Sequence, residues 1–280
     1  MKFFSFSSLI KTLLIFALAS SVSAAKEPKF YIPDAPVINA VAYIVMDHNS
    51  GKIIAENNAD EQRAPASLAK LMTSYVVFQR IKEEFISLND KVKISEKAWK
   101  TGGSRSFIEV GKIIKLEDLL LGMIIQSGND ASVALAEHIA GSEGTFVLFM
   151  NEYALDLGMN NTNFENASGL PNENQYTTAH DVALLASAII RDFPEFYQWY
   201  SQKEFTYNDI KQSNRNKLLW SDATVDGLKT GYTEKAGYCL VTSANRVGMR
   251  LISVVLGSES DKVRVKEDRK STRLNSSHVV

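Results

Sequence analysis

The chain has 280 residues, which is enough for one large domain or two small ones. Hydrophobic residues make up 45% of it, an ordinary share for a globular protein. The formal net charge of -1 gives no electrostatic reason to expect a nucleic acid as a partner. The composition therefore favours a globular domain whose function has to be inferred from its motifs.

The first 24 residues have the pattern of a secretory signal peptide. Lysines in the leading segment accompany an apolar core over 13–19, and small residues precede the predicted cleavage after Ala24. An uncleaved anchor is the alternative, but a spanning helix needs roughly 20 apolar residues. We therefore expect export to the periplasm, with 25–37 as a linker. Cys239 is the only cysteine, so no intramolecular disulfide can form.

The rest of the chain predicts strands at both ends and helices between them. The predicted strands cover 40–46, 52–55, 236–244 and 249–256, and weaker strand-like pieces lie at 92–94 and 106–109. One predicted helix follows Ser67, and the others cover 116–126, 131–140, 143–157 and 178–191. This order predicts an α+β domain over 38–267. Its N- and C-terminal strands would form one antiparallel sheet, covered by a central helical subdomain.

Ser67 and Lys70 form the first candidate motif. Ser67 precedes an apolar run with helical spacing, and Lys70 lies one turn further along the same face. A hydroxyl and an amine held side by side can act as a nucleophile and its base. The alternative is a capping serine followed by a surface lysine. Because Ser8 and Lys11 have the same spacing in the signal segment, the pair gains meaning only from partners later in the chain.

Two later motifs supply such partners. Ser127-Gly128-Asn129 lies at a predicted helix–helix junction, and Lys229-Thr230-Gly231 lies just ahead of the closing strand pair. Alone, the first is an ordinary turn, and the second is matched by Lys100-Thr101-Gly102. Only the later copy follows Ser127 and leads into a long apolar strand. Three motifs in this order are the set found in class A β-lactamases and penicillin-binding proteins.

That set implies acyl transfer to a serine. Ser67 would attack a carbonyl with Lys70 as its base, and burial and a neighbouring cation such as Lys229 would lower the pKa of Lys70. Ser127 would pass a proton to the leaving amine. Asn129 would orient Lys70 or the substrate amide, and Lys229 and Thr230 would hold a carboxylate. Gly231 would allow close approach of the strand. The backbone N–H groups of Ser67 and Tyr232 would form an oxyanion hole.

The chain closely resembles the low-molecular-mass penicillin-binding proteins, which are serine-type D-alanyl-D-alanine carboxypeptidases of the bacterial cell wall and share the β-lactamase/transpeptidase-like fold. The resemblance runs from about Ile38 to Lys266 and includes 55–60, 126–131, 214–216 and 225–233. It implies removal of the terminal D-alanine from peptidoglycan pentapeptides, without a metal or other cofactor, and covalent inhibition by β-lactams. It also implies that Arg215 lines the cleft and that Arg264 contacts the terminal carboxylate of the substrate. Tyr232 stands where relatives often carry histidine.

Two alternatives remain at this point. A class A β-lactamase has the same motif order and activates its deacylating water with a glutamate in a Glu-x-x-Leu-Asn loop. The corresponding stretch here, 165–172, lacks that arrangement, and its Ser168-Gly169-Leu170-Pro171 matches the carboxypeptidases. A catalytically silent wall-binding scaffold is the second alternative, but a pure binder has no need for both Ser67 and Lys70. The sequence favours the carboxypeptidase over both.

Residues 268–280 form a separate case. They have no apolar periodicity and read as the in-frame translation of a sequencing adapter, with a genuine polar tail as the alternative. We leave them out of the predicted fold. The resemblance implies that relatives add a helix on the sheet, a small β-rich domain and often an amphipathic helix on the membrane surface. We therefore expect membrane association only through a segment absent from this chain. We also expect a truncated domain that exposes apolar surface and is marginally stable.

Overall fold

The computed structural model describes residues 38–246 and 248–273, all of which lie in a compact unit that spans 35–280. The predicted signal segment, the predicted linker over 25–37 and residues 274–280 lie outside the described residues. In the part that is described, no helix has both the length and the apolar character needed to cross a membrane.

The described residues form alternating strands and helices. The strands are β1 (Ala42–Asp47), β2 (Ile53–Asn57), β3 (Lys91–Lys93), β4 (Ile113–Lys115), β5 (Glu204–Tyr207), β6 (Ile210–Ser213), β7 (Val225–Thr233), β8 (Gly237–Arg246) and β9 (Met249–Ser258). The α-helices are α1 (Ala69–Lys82), α2 (Glu96–Lys100), α3 (Leu116–Leu121), α4 (Asn129–Ala140), α5 (Glu143–Asp156), α6 (Ala179–Asp192), α7 (Pro194–Tyr197), α8 (Leu218–Ser221) and α9 (Asp261–Arg273).

A five-stranded antiparallel sheet joins the two ends of this region, in the order β2-β1-β9-β8-β7. β1 pairs with β9, with Val45 opposite Ser253, so the first strand and the last strand are neighbours. Gly51, with a φ of +69°, makes the predicted turn between β1 and β2 possible. The predicted α+β architecture, with both chain ends in one sheet and helices inserted between them, is confirmed.

Helix α1 forms the centre of the helical region. Its first ten residues, 69–78, are buried. That burial explains its nearly continuous apolar sequence, because a helix without a solvent-facing side carries no polar stripe. Near its C-terminus the ring of Phe78 stacks on Phe196, with ring centroids 4.7 Å apart, and lies 5.5 Å from Phe193. A helix packed this firmly fixes the position of Ser67 and Lys70 at its other end.

In the middle of the chain one predicted element is wrong, one is refined and one is missing from the prediction. Residues 106–109 do not form a strand, because the backbone N–H of Ser106 donates to the buried carboxylate of Asp130 at 2.8 Å, and β3 pairs with β4 instead. The predicted helix over 116–126 is confirmed as helical, but it changes at Gly122 from α3 into a π-helical turn. The hairpin of β5 and β6 was not predicted, since its exposed and polar residues lack a clear apolar alternation.

Helix α9 covers the face of the sheet that points away from α1. Alternate residues of a strand face opposite sides. In β8, Cys239 and Val241 belong to the main core, whereas Leu240 and Ala244 pack with Val265 of α9. The expectation that this face lacks a helix is therefore wrong, and with it the reason to expect exposed apolar surface there. Residues 268–273, which we left out of the predicted fold, form the second half of α9.

Apart from Val265, the side of α9 that packs on the sheet is largely polar, with Glu267, Asp268, Ser271 and Thr272 all buried. Asp268 accepts a hydrogen bond from the Thr242 hydroxyl at 2.7 Å, yet burial raises its pKa from 3.8 to about 7. The folded state therefore binds this proton more tightly than the unfolded chain does. As a result, the free energy of unfolding falls as the pH rises from 3.8 to about 7. The adapter origin of these residues stays a prediction.

Candidate active site

Ser67 lies in a tight turn rather than at a helix cap. The 3-10 turn Ala66–Leu68 leads directly into α1, and no side-chain hydrogen bond caps either element. Ala66 has a φ of +47°, in the left-handed region that costs a residue with a side chain roughly 1–2 kcal/mol. The capping explanation for Ser67 therefore fails. Strained backbone directly before a serine is typical of a functional turn.

The amine of Lys70 lies at the centre of a set of polar contacts. The residue is 1% exposed. Its Nζ donates to Ser67 Oγ at 2.9 Å, to Asn129 Oδ1 at 2.7 Å and to the carbonyl oxygen of Ser168 at 2.5 Å. A surface lysine, the other part of the alternative explanation, is thereby excluded, because this amine is enclosed by Ser67, Asn129 and the carbonyl oxygen of Ser168.

Burial also changes the protonation of Lys70. It lowers the pKa from 10.5 to about 7; the carboxylate of Asp130 opposes the shift, and the positive charge of Arg215 adds to it. About half of the amine is then neutral at pH 7, compared with roughly one part in 3,000 at the ordinary pKa. A neutral amine 2.9 Å from Ser67 Oγ can accept the hydroxyl proton.

Ser127 and Asn129 are placed by the break between two helices. The π-helical turn over 122–126 ends at Ser127, whose φ of +68° redirects the chain so that α4 begins at Asn129. Asn129 Nδ2 donates to the carbonyl oxygen of Gly102 at 2.7 Å, which fixes the orientation of the amide. The backbone carbonyl of Gly102, in the earlier Lys-Thr-Gly copy, thus holds the amide of Asn129 in place. The lysine of that copy, Lys100, is exposed and pairs with Glu96 at 2.6 Å.

The Lys229-Thr230-Gly231 motif lies inside β7, at the edge of the sheet, and just ahead of the closing strand pair β8 and β9, as predicted. Lys229 Nζ donates to Ser127 Oγ at 2.9 Å and to the carbonyl oxygen of Thr230 at 3.0 Å. Burial lowers the pKa of Lys229 well below its usual value, and the positive charge of Lys70 lowers it further. Each motif serine therefore faces a buried amine: Ser67 faces Lys70, and Ser127 faces Lys229.

Two glycines allow the backbone of neighbouring segments to pack directly against the turn that contains Ser67. A Cβ at Gly231 would stand 3.2 Å from the Ser67 nitrogen, so β7 passes very near this N–H group. A Cβ at Gly169, which has a φ of +79°, would stand 1.7 Å from the carbonyl oxygen of Ala66. The approach of β7 brings Gly231, which precedes Tyr232 in the strand, next to the Ser67 N–H, while the oxyanion hole itself stays a prediction.

The loop over 166–170 contributes a contact that the sequence analysis missed. Asn166 Oδ1 accepts hydrogen bonds from the backbone N–H groups of Ser168, Gly169 and Leu170 at 2.7–3.2 Å. This curls the loop and presents the carbonyl oxygen of Ser168 to Lys70. Asparagine is a known organiser of turns, but nothing in the sequence indicates that this turn meets Lys70.

The same loop bears on the β-lactamase alternative. Glu165 is exposed, and its carboxylate accepts a hydrogen bond from Asn163 Nδ2 at 2.9 Å. The hydrogen bonds of Lys70 Nζ go to a hydroxyl, an amide and a carbonyl oxygen, and none of these is a carboxylate. Among the described residues, no glutamate is hydrogen-bonded to Lys70, which counts against the β-lactamase alternative.

The predicted residues meet at one cleft of about 740 Å³. Seven of them line it: Ser67, Ser127, Arg215, Thr230, Gly231, Tyr232 and Arg264. Lys70, Asn129 and Lys229 join this group through the hydrogen bonds described above. The structure thus brings all ten together, while their roles stay predictions. In the described part of the chain, no three His, Cys, Asp or Glu residues are grouped to hold a metal ion.

The residues inferred from the resemblance differ in how firmly they are held. Arg264 is 7% exposed, and its Nη1 donates to the carbonyl oxygens of Gly231 at 3.1 Å and Cys239 at 3.2 Å. Arg215 is exposed. Tyr232 is 51% exposed, with its ring centroid 4.3 Å from that of Tyr238.

Comparison with known proteins agrees with this geometry. A family model described as D-alanyl-D-alanine carboxypeptidase matches residues 29–260. The D-alanyl-D-alanine carboxypeptidase DacC of Escherichia coli (strain K12) is 47% identical over 277 residues, which cover 95% of this chain and 68% of that protein. Penicillin-binding protein 5 from Haemophilus influenzae has a TM-score of 0.86 at 46% identity, covering 88% of this chain and 73% of its own. Penicillin-binding protein D2 from Listeria monocytogenes, in its ampicillin-bound form, has a TM-score of 0.77 at 31% identity, covering 87% and 100%. The chain therefore belongs to the D-alanyl-D-alanine carboxypeptidase family.

Proposed function

We propose that this chain is a serine-type D-Ala-D-Ala carboxypeptidase that removes the terminal D-alanine from peptidoglycan pentapeptides. The observation that carries the proposal is the 2.9 Å contact between Lys70 Nζ and Ser67 Oγ, made by an amine whose pKa is lowered to about 7. This pair supplies a nucleophile and a base that is half neutral at physiological pH. The family supplies the class of substrate.

Acylation begins when Ser67 Oγ attacks the carbonyl carbon of the penultimate D-alanine and Lys70 Nζ takes the hydroxyl proton. The charge that develops on the carbonyl oxygen is stabilised by the N–H groups of Ser67 and Tyr232, at roughly 3 kcal/mol per donor. Ser127 then gives its hydroxyl proton to the leaving nitrogen as the C–N bond breaks. Ser127 Oγ takes up the proton that Lys70 received, so that Lys70 is neutral again before deacylation. Lys229 supports this transfer, because its Nζ is 2.9 Å from Ser127 Oγ. D-Alanine leaves, and the rest of the peptide remains as an ester on Ser67.

Deacylation requires a water molecule that is activated at the same centre. Lys70 is the base next to Ser67, because the other groups around its Nζ are an amide oxygen and a backbone carbonyl oxygen. The water attacks the ester carbonyl and gives a proton to Lys70, and Ser67 Oγ leaves and regains its proton. Without a glutamate of the lactamase type, we expect a penicilloyl group on Ser67 to be hydrolysed slowly.

We propose that β-lactams acylate Ser67 and inhibit the enzyme. The support is the ampicillin-bound form of the Listeria monocytogenes relative, together with the same fold here. Labelling the full chain with a fluorescent penicillin tests this and separates the two enzyme classes. A carboxypeptidase keeps the label for many minutes, whereas rapid turnover would favour a β-lactamase.

We also propose that the protein acts in the periplasm and that the full-length form lies at the cytoplasmic membrane. The leader pattern of the first 24 residues and a substrate outside the cytoplasm support export. Membrane contact would come from a segment outside this chain. Separation of cells that express the full-length protein, with and without those 24 residues, into periplasmic, cytoplasmic and membrane fractions tests both points. Retention of the intact protein in the cytoplasm would contradict the proposal.

The test of the activity is release of D-alanine from a pentapeptide, measured with a D-amino acid oxidase assay. The full chain should release D-alanine, and Ser67→Ala should abolish the release. Ser74→Ala is a matched control, because Ser74 is a buried serine on α1 whose Oγ donates to the carbonyl oxygen of Lys70 at 2.9 Å. It should retain activity. A folded wild-type protein that releases no D-alanine would overturn the carboxypeptidase and favour the scaffold.

A further inference from the structure

A carboxylate is held between two cations at one end of the cleft. Asp261 Oδ2 accepts a hydrogen bond from Lys217 Nζ at 2.6 Å, and Asp261 Oδ1 accepts one from Arg264 Nη2 at 2.5 Å. All three residues line the cleft, and Asp261 is the one acid among the described residues that do. None of the three belongs to the Ser-x-x-Lys, Ser-Gly-Asn or Lys-Thr-Gly motifs.

Arg264 is locked in place by these contacts. Its Nη1 donates to two backbone carbonyl oxygens, those of Gly231 in β7 and Cys239 in β8, while Nη2 donates to Asp261. The side chain is 8% exposed. A guanidinium group with most of its donors in use supplies a fixed positive charge, but few free hydrogen bonds for a ligand.

Lys217 is different, because its side chain is 70% exposed. An ammonium group has three hydrogens, so the bond to Asp261 leaves donors for a ligand in the cleft. The backbone on either side of it is firmly held. Asn216 Nδ2 donates to the carbonyl oxygen of Gly227 at 3.0 Å, and Asn216 Oδ1 accepts from the N–H of Leu218 at 3.1 Å. A rigid loop therefore presents Lys217 to the cleft.

The charges of this cluster suit a single carboxylate. Burial opposes the ionisation of Asp261, but the hydrogen bond from Lys217 and the charge of Arg264 outweigh it and lower its pKa below the usual value. Two cations and one anion leave one net positive charge. The alternative is an ordinary exposed ion pair, which contributes little to stability and nothing to recognition. The position inside the cleft, beside the strand motif predicted to hold a carboxylate, favours recognition.

We propose that Lys217 binds the free terminal carboxylate of the substrate and that Asp261 is the positioning residue that holds its ammonium group at this end of the cleft. The proposal rests on the proposed function and deepens it, because it adds a pair outside the three motifs to Lys229, Thr230 and Arg264, which are expected to hold the same carboxylate. A peptide that continues past the scissile bond, or ends in an amide, brings no carboxylate to this place.

The experiment compares two substrates: an N-acylated peptide that ends in D-Ala-D-Ala and the same peptide with a C-terminal amide. Lys217→Met should lower kcat/KM for the acid about tenfold, mainly by raising KM. It should lower kcat/KM for the amide less than twofold. Lys217→Arg should keep the preference for the acid. Lys211→Met is the matched control. Lys211 also lines the cleft, and its 64% exposed side chain pairs with Glu204 at 2.7 Å. This control should leave the ratio of kcat/KM for the acid to kcat/KM for the amide unchanged.

A double-mutant cycle tests the role of Asp261. Asp261→Asn should raise KM for the acid, because the ammonium group of Lys217 is no longer fixed. In that background, Lys217→Met should have less than half of its effect on the logarithm of kcat/KM, since coupled residues are not additive. Additive effects of the two substitutions would overturn the positioning role.

The outcomes separate this inference from the proposed function. A folded wild-type protein that releases no D-alanine from the acid refutes both. A wild-type protein that prefers the acid, with the same preference in a Lys217→Met variant of unchanged melting temperature, refutes the inference alone. A preference that falls in Lys217→Met but not in Lys211→Met supports it.

Discussion

The lowered pKa of Lys70 can be tested by placing one charge beside it. Asn129→Asp replaces the amide oxygen that lies 2.7 Å from Lys70 Nζ with a carboxylate oxygen of nearly the same shape. A negative charge favours the protonated amine, and an opposite charge this close shifts a pKa by roughly 1–3 units. The pKa of Lys70 should therefore rise from about 7 to roughly 8–10.

This shift sets the size of the expected loss. At pH 7 the neutral fraction of Lys70 falls from about one half to between roughly 10% and 0.1%. If the proton transfer from Ser67 to Lys70 limits the rate, acylation at that pH slows by roughly 5- to 500-fold. The loss must shrink as the pH rises, because the amine becomes neutral again above its new pKa.

The assay is the rate of acylation by a fluorescent penicillin between pH 6 and 10. The wild-type rate should be half-maximal near the pKa of Lys70, about 7. The rate of Asn129→Asp should recover toward the wild-type value at high pH. Asn129→Ala is the control: it also removes the bond to Gly102 but adds no charge, so its loss should not depend on pH in this way. A pH-independent loss in a folded Asn129→Asp variant would refute the neutral-base role of Lys70.

Three further predictions follow from the geometry. Gly169→Ala should abolish penicillin labelling, because the new Cβ would stand 1.7 Å from the carbonyl oxygen of Ala66; full labelling would show that the loop contact is dispensable. Lys229→Met should slow acylation at least roughly 100-fold, because it removes the amine next to Ser127. Lys100→Met, in the earlier Lys-Thr-Gly copy, should leave the acylation rate unchanged. Equal rates for the two variants would contradict the distinction between the two copies. Asp268→Asn should raise the free energy of unfolding, measured in urea, by up to about 4 kcal/mol at pH 8 and by little at pH 3. The reason is that burial raises the pKa of this carboxyl. The same gain at both pH values would argue against a raised pKa.

The order of the motifs identified residues that the structure brings to one cleft. This succeeded because the chemistry of acyl transfer requires particular side chains, and those side chains are visible in a sequence. The sheet was predictable as well, since long apolar strands such as β8 and β9 have a clear pattern. Strand β7, which carries Lys229, was not among the predicted strands, because glycines and polar residues interrupt its apolar pattern.

Contacts made through the backbone were hidden from the sequence. The carbonyl oxygen of Ser168 reaches Lys70 because Asn166 curls its loop, and any residue can supply a carbonyl oxygen. The strain at Ala66 has no sequence signal either, since alanine is common in helices. Helix α9 was missed for the opposite reason. Its buried face carries Asp268 and serine where a sheet-packed helix normally carries apolar residues, so the pattern of an amphipathic helix is absent.

Peptide mapping tests the identity of the nucleophile most directly. Trypsin cleavage after Arg63 and after Lys70 gives the peptide Ala64–Lys70, in which Ser67 is the only hydroxyl-bearing residue. The full chain would be treated with benzylpenicillin, digested and analysed by mass spectrometry, with Ser67→Ala in parallel. We predict a stoichiometric penicilloyl adduct on this peptide in the wild-type protein and none in Ser67→Ala. An unlabelled peptide Ala64–Lys70, with the adduct elsewhere or absent from a folded protein, would contradict Ser67 as the acylated residue.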